Sequence, residues 1–377
     1  MRPGEEEKMK KSFRYLFLAA VICILATGCG KEEEISESSQ ETTTTQETTT
    51  TVETTTADPY EGLVVDPLTG VRDYPEESEG NRPVAVMVNN AKESLPQYGI
   101  GEADIIFEIP VEGYLTRLLC VYSDYEDVPY IVSVRSYRYY FAAVSCGFDA
   151  IYIHWGQDNT MMSYYYSLDM DSYNGMSNKT LFGRDSSRKS AGYATEHTSY
   201  FNGSALPDQL EADGVRTTVE EEYEGTVFNF NSYEEEPVTY GDEAAETVNI
   251  NFGGNTAKLV YDEETKTYLK YTAGQEQIDA STGDQISFTN VIILETSIWT
   301  RDEKGHLGMN ITGVSGNAGY YITAGGAQPI TWSKADEYSQ FVFYDEDGNE
   351  LELNCGKTYI AITRSGTYSF EGADEEE

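Results

Sequence analysis

Basic residues are scarce in this 377-residue sequence: 25 Lys and Arg stand against 65 Asp and Glu, a formal net charge of −40. Affinity for DNA and RNA rests mainly on clustered Lys and Arg, so this balance argues against a nucleic-acid binder. It also disfavours attraction to an anionic lipid surface. Histidine is rarer still, and His154, His197 and His306 form neither HExxH nor any short metal-ligand pair. The cysteines show no CxxC spacing, which speaks against a zinc or dithiol site. A GxSxG nucleophile elbow is missing, since Gly313-Val-Ser315-Gly-Asn317 fails at its last position. Ser186-Ser-Arg-Lys189 satisfies SxxK, but neither SDN nor KTG accompanies it. In Asp345-Glu-Asp-Gly-Asn-Glu350 the glycine is misplaced for an EF-hand loop, which leaves a β-turn as the reading. No cofactor and no metal are called for.

One long apolar run exists, and it lies at the start. Lys10, Lys11 and Arg14 precede the stretch from Tyr15 to Ala26, a basic segment and apolar segment of signal-peptide length. The stretch is too short for a comfortable membrane span. Leu25-Ala26-Thr27-Gly28-Cys29 resembles the lipobox of bacterial lipoproteins. The expectation is a signal peptide over residues 1–28, lipidation of Cys29, and a membrane partnership through that anchor on the extracytoplasmic face. Two acyl chains on one diacylglyceryl group suffice for stable anchoring. Residues 30–58 show no apolar periodicity, and 11 of the 15 residues from Thr42 to Thr56 are Thr. Such a segment cannot bury enough surface to offset its ordering entropy, so it reads as a disordered tether.

The remaining chain predicts an α+β protein of two subdomains, 59–240 with mixed α/β elements and 241–377 mainly antiparallel β with an acidic tail. Strand-like runs cover Val84–Val88, Ile105–Ile109, Leu118–Tyr122 and Ile151–His154. Ser136 is placed to cap a helix ending near Gly147, and Ser204–Asp213 reads as a second helix stopped by Gly214. Further on, Val248, Ile250 and Phe252 alternate ahead of a Gly253-Gly254-Asn255 turn. Asn290–Leu294, Tyr320–Ile322 and Phe341–Phe343 follow as strands.

Residues 59–240 hold eight Arg and three Lys, whereas 241–377 holds two Arg and six Lys. Arginine is favoured where planar, bidentate pairing is needed. Arg117, Arg135 and Arg138, with Ser136 at a proposed helix start, are therefore candidates for holding an anion. Glu108 and Glu112 are their candidate partners in an internal ion-pair network. If both acids instead faced one cleft with His154, they would be candidate catalytic groups of a carboxylate-based, glycosidase-like hydrolase. A purely structural scaffold is the third alternative.

These residues carry a resemblance. Arg82-Pro-Val-Ala-Val-Met-Val-Asn-Asn90, Pro96-Gln-Tyr-Gly99, Glu108, Glu112-Gly113, Thr116-Arg117 and Arg135-Ser136-Tyr-Arg138 resemble the YerB-like family of bacterial lipoproteins. His154-x-Gly156, His197-Thr-Ser-Tyr200, Thr331-Trp-Ser-Lys334 and Leu353-Asn-Cys-Gly-Lys-Thr-Tyr359 continue the pattern. Glu196 and Thr198 flank His197 where the family's motif reads Pro-His-Asn. The resemblance implies two α+β subdomains on a lipid-anchored chain and assigns no molecular function. With the residues above, it points to a binding or accessory protein of the cell envelope rather than an enzyme. The expected ligand is anionic or carbohydrate-containing cell-wall material, or an envelope protein, held by Arg117, Arg135, Ser136, Arg138, His154, His197 and Tyr200.

Overall fold

A computed structural model describes residues 59–372. The signal peptide, Cys29, the tether up to residue 58 and the last five residues of the acidic tail lie outside them. Among the described residues no helix is long and apolar enough to cross a membrane.

The first half supplies β1 (Val84–Asn89), β2 (Ile105–Pro110), β3 (Thr116–Tyr122), helix α1 (Tyr139–Cys146), β4 (Ile151–His154), β5 (Ser172–Asn174) and helix α2 (Leu206–Asp213). The second supplies β6 (Thr247–Asn251), β7 (Thr256–Asp262), β8 (Thr267–Thr272), β9 (Asn290–Glu295), β10 (Val314–Thr323), β11 (Gly326–Lys334), β12 (Thr358–Thr363) and β13 (Tyr368–Glu371). The strand runs expected in both halves are present, most with boundaries moved by one or two residues, while the one expected at Tyr320–Ile322 begins six residues earlier, at Val314. The α1 start differs. The helix begins after Arg138, and Ser136 makes no cap because its hydroxyl donates instead to the Trp155 carbonyl at 3.0 Å.

One large sheet organises the molecule, in the order β11-β10-β9-β12-β2-β3-β1-β4-β5 with two short strands at the β11 side. Strands from both sides of residue 240 meet in it, where β12 runs parallel to both β9 and β2. β1, β4 and β5 are parallel to one another, and β3 runs antiparallel to β1 and β2. Consequently β1, β2, β4, β9 and β12 all point their carboxyl ends to one edge, where β3 begins. A second, antiparallel sheet contains β6, β7, β8 and β13.

Successive side chains of a strand face opposite sides, so each strand feeds two cores. Val84, Val86, Leu118, Cys120, Ile151 and Ile153 pack with Val248, Leu259 and Tyr268 of the second sheet. Ala85, Met87, Leu119, Val121 and Tyr152 pack on the other side with Tyr140, Phe141 and Val144 of α1. Double-sided burial explains why β1 reads as an unbroken apolar run rather than an alternation. Burying each large side chain contributes roughly 1.5–3 kcal/mol. Cys120, Cys146 and Cys355 are free thiols, the first two buried in these layers.

Candidate functional site

The carboxyl edge of the sheet gathers most of the candidate residues, but the sheet divides them. Thr116 and Arg117 are neighbours at the start of β3, and period-two geometry sends them to opposite faces. Glu108, opposite Leu118 in the β2–β3 register, shares the face of Thr116. Arg117, Glu112, Arg138 and His154 belong to the other.

On the first face Glu108 is fully buried. One carboxylate oxygen accepts from Asn90 Nδ2 at 2.8 Å and Thr116 Oγ1 at 2.7 Å. The other accepts from the Tyr359 hydroxyl at 2.8 Å and pairs with Lys270 Nζ at 2.9 Å. Lys270, on β8 and equally buried, also donates to Gln277 Oε1 at 2.7 Å, and Gln277 closes the ring onto Asn90 Oδ1 at 3.1 Å. Two carboxylate oxygens thus receive four partners, which leaves no room for a substrate. The expected ion-pair network is present, yet its cation is a lysine from the far half of the chain rather than an arginine.

On the second face a turn carries Glu112 beyond the end of β2. Arg138 reaches it through two nitrogens, Nε to Oε2 at 2.9 Å and Nη2 to Oε1. Arg117 Nη2 lies 3.4 Å from the same Oε1, while its Nη1 donates to the Ser136 carbonyl at 2.5 Å. Burial alone pushes the Glu112 carboxyl up, but the Arg138 hydrogen bond and both guanidinium charges outweigh it and hold it at about 2. Glu112 is a permanent carboxylate, unsuited to proton transfer. Arg117 is pushed down to about 9, first by burial and then by the charge of Arg138. Arg135 completes the group. Burial lowers its pKa, the Glu196 carboxylate opposes that shift, and the charge of Arg138 reinforces it. One terminal nitrogen of Arg135 contacts the Glu196 carbonyl at 3.4 Å, and its buried Nε has no hydrogen-bond partner. Three guanidinium groups therefore gather near two carboxylates, Glu112 and Glu196, a local surplus of positive charge on an acidic protein.

His154 closes β4 in full burial. Nδ1 donates to the Gly156 carbonyl at 2.8 Å, Nε2 faces the Tyr165 hydroxyl at 3.3 Å, and the ring stacks on Tyr152 at 5.3 Å. Burial drops its pKa to about 4, so it is neutral at physiological pH. His197, also buried, accepts from Asn89 Nδ2 at 2.9 Å through Nδ1. Burial and then the Arg135 charge lower its pKa. Tyr200 lies in a three-stranded sheet of Tyr130–Val132, Phe182–Arg184 and Ser199–Asn202, with its ring 4.9 Å from that of Tyr130. The same sheet edge approaches the arginines, since Ser199 Oγ donates to the Val134 carbonyl at 2.6 Å.

Several residues escaped the sequence reading. Arg184 lies 4.2 Å over the Trp155 ring and Lys179 5.3 Å from it, adding cations beside Arg135. Arg188 is buried and donates to the Ser94, Pro96 and His197 carbonyls, which fixes the loop under His197. Asn89 and Asn90, consecutive in the quoted pattern, serve opposite faces of the sheet. The clue was their position at the end of an apolar strand, where a polar pair needs partners on both sides.

Comparison with known proteins follows the same architecture. Residues 68–216 match the N-terminal domain, and residues 248–360 the C-terminal domain, of a family described as a protein of unknown function (DUF3048). The chain is 29% identical over 302 residues to a Bacillus subtilis (strain 168) protein named "Putative lipoprotein YerB", covering 78% of this chain and 85% of that one. A crystal structure of YerB from Bacillus subtilis superposes with a TM-score of 0.69 at 26% identity, over 82% of this chain and 99% of the other. With both domains matched in order, the chain belongs to the DUF3048 family of YerB-like proteins.

Proposed function

We propose that this is a lipid-anchored, extracytoplasmic binding or accessory protein of the cell envelope, attached at Cys29. It takes hold of a negatively charged group on envelope material through Arg117, Arg135 and Arg138. The observation that carries this reading is the gathering of three guanidinium groups, Arg117, Arg135 and Arg138, around Glu112, with the half-buried Arg135 in no side-chain ion pair among the described residues. Arg184 and Lys179 beside Trp155 extend the basic surface. In open sheets ligands collect outside the carboxyl ends of the strands, where this group stands.

The carboxylate-hydrolase alternative loses its support. Glu108 is sealed on one face, Glu112 is ionised on the other, and His154 is buried and neutral. The test is binding of muramidase-released wall fragments to the full chain in detergent micelles. Arg135→Ala is expected to weaken binding about tenfold or more. Equal affinity of the two proteins removes the proposal.

A further inference from the structure

A cleft of about 490 Å³ opens at the same edge of the sheet, between the β2–β3 turn, the β6–β7 turn, the Ile298–Thr300/Leu307–Met309 hairpin and the segment after β12. Glu112, Tyr114, Asn251, Phe252, Thr300 and Arg364 line it. Its volume falls in the range of small-ligand sites, and its walls mix aromatic, amide, hydroxyl and guanidinium groups. Glu112 contributes no free charge, being matched by Arg117 and Arg138. Arg364 is exposed and spends Nε and Nη2 on long contacts, 3.3 and 3.2 Å, to the Ile298 carbonyl.

Tyr114 is the unusual member. Its φ is +60°, a left-handed conformation that a tyrosine rarely adopts, and its side chain is 76% exposed. Two amides from the other half of the chain impose it, as Gly254 N and Asn255 N donate to the Tyr114 carbonyl at 3.0 and 3.1 Å. A Cβ on Gly254 would come within 2.5 Å of that carbonyl, so a glycine is needed there for the approach. The protein thus spends backbone strain to hold a large apolar ring out in water. Strain of this kind concentrates at ligand clamps. The apolar face of a pyranose ring packs on such a surface while its hydroxyls meet amides and hydroxyls such as Asn251 and Thr300.

We infer that this cleft binds a glycan segment carrying a negatively charged substituent, with a sugar ring against Tyr114 and the charge at Arg364. The inference rests on the envelope-binding reading above and places the saccharide part of the ligand beside the guanidinium cluster. The experiment measures affinity of the full chain in micelles for three probes: muramidase-released wall fragments, the same fragments stripped of their acidic polymers, and inorganic phosphate. Tyr114→Gly accepts the left-handed backbone without a side chain, so it is expected to lose about tenfold in affinity for both fragment preparations with no loss of thermal stability. Tyr114→Phe is expected to bind like the wild type, and Arg364→Gln to weaken only the acidic preparation. Wild-type affinity in Tyr114→Gly, no fragment binding by the wild type, or full competition by phosphate at equal concentration overturns the inference. If Arg135→Ala weakens binding and Tyr114→Gly does not, the cleft falls and the guanidinium reading stands. The reverse pattern removes the guanidinium reading and leaves the cleft.

Discussion

Glu108 and Glu112 stand four residues apart, on opposite faces of one sheet, and their surroundings differ in a single respect that decides what each can do. At Glu108 one carboxylate meets one ammonium, and hydroxyl and amide donors fill what remains. At Glu112 one carboxylate meets two guanidinium groups, with a third beside them. A balanced and sealed pair adds one link between the two halves of the chain, because Lys270 lies on β8 and Glu108 on β2. The unbalanced group is the one we propose uses its surplus charge on something outside the protein.

The comparison breaks most visibly at Lys270. Removing one partner of a buried ion pair strands the other, at a cost of about 3–5 kcal/mol. Lys270→Ala is expected to lose that much stability in urea denaturation. Arg135→Ala, by contrast, breaks no side-chain ion pair among the described residues and is expected to change stability much less than Lys270→Ala in the same series. A Lys270→Ala loss under about 1 kcal/mol would show that Lys270 and Glu108 are not a desolvated ion pair.

Acid sharpens the second face. His154 has its pKa depressed to about 4 from 6.5, so the unfolded chain takes up this proton first as pH falls. Its contribution is complete above pH 6.5 and is lost as pH drops toward 4, a total of roughly 3 kcal/mol. Glu112, depressed to about 2 from 4.5, adds stability above pH 4.5 that disappears as pH falls through 2. Denaturation series across pH 7 to 3 should show the upper step in the wild type and not in His154→Gln. A flat wild-type profile between pH 6.5 and 4 would mean that His154 is not held neutral by burial.

The strands of the central sheet were legible because double-sided burial writes continuous apolar runs, as in β1 and β4. The two faces were legible in principle as well, since Leu118 and Cys120 alternate against Arg117 and Leu119. The identity of Glu108's partner was not, because Lys270 comes from a strand 162 residues later and nothing local marks it. Ser136 misled for a related reason: its hydroxyl had two acceptable uses, capping or a bond across to Trp155, and tertiary packing selected the second. The left-handed Tyr114 follows Gly113 in the turn between β2 and β3, and the amides that hold it come from residues 254 and 255, which nothing local marks.

We propose that Arg135, with Arg117 and Arg138, receives an anion through its half-buried guanidinium group. The most direct measurement is side-chain ¹⁵N–¹H NMR of arginine Nε in the full chain, titrated with wall fragments. A large shift of the Arg135 Nε signal is expected, with smaller shifts at Arg117 and Arg138 and none at the buried Arg188. An Arg135 signal that stays in place while fragments bind would contradict it.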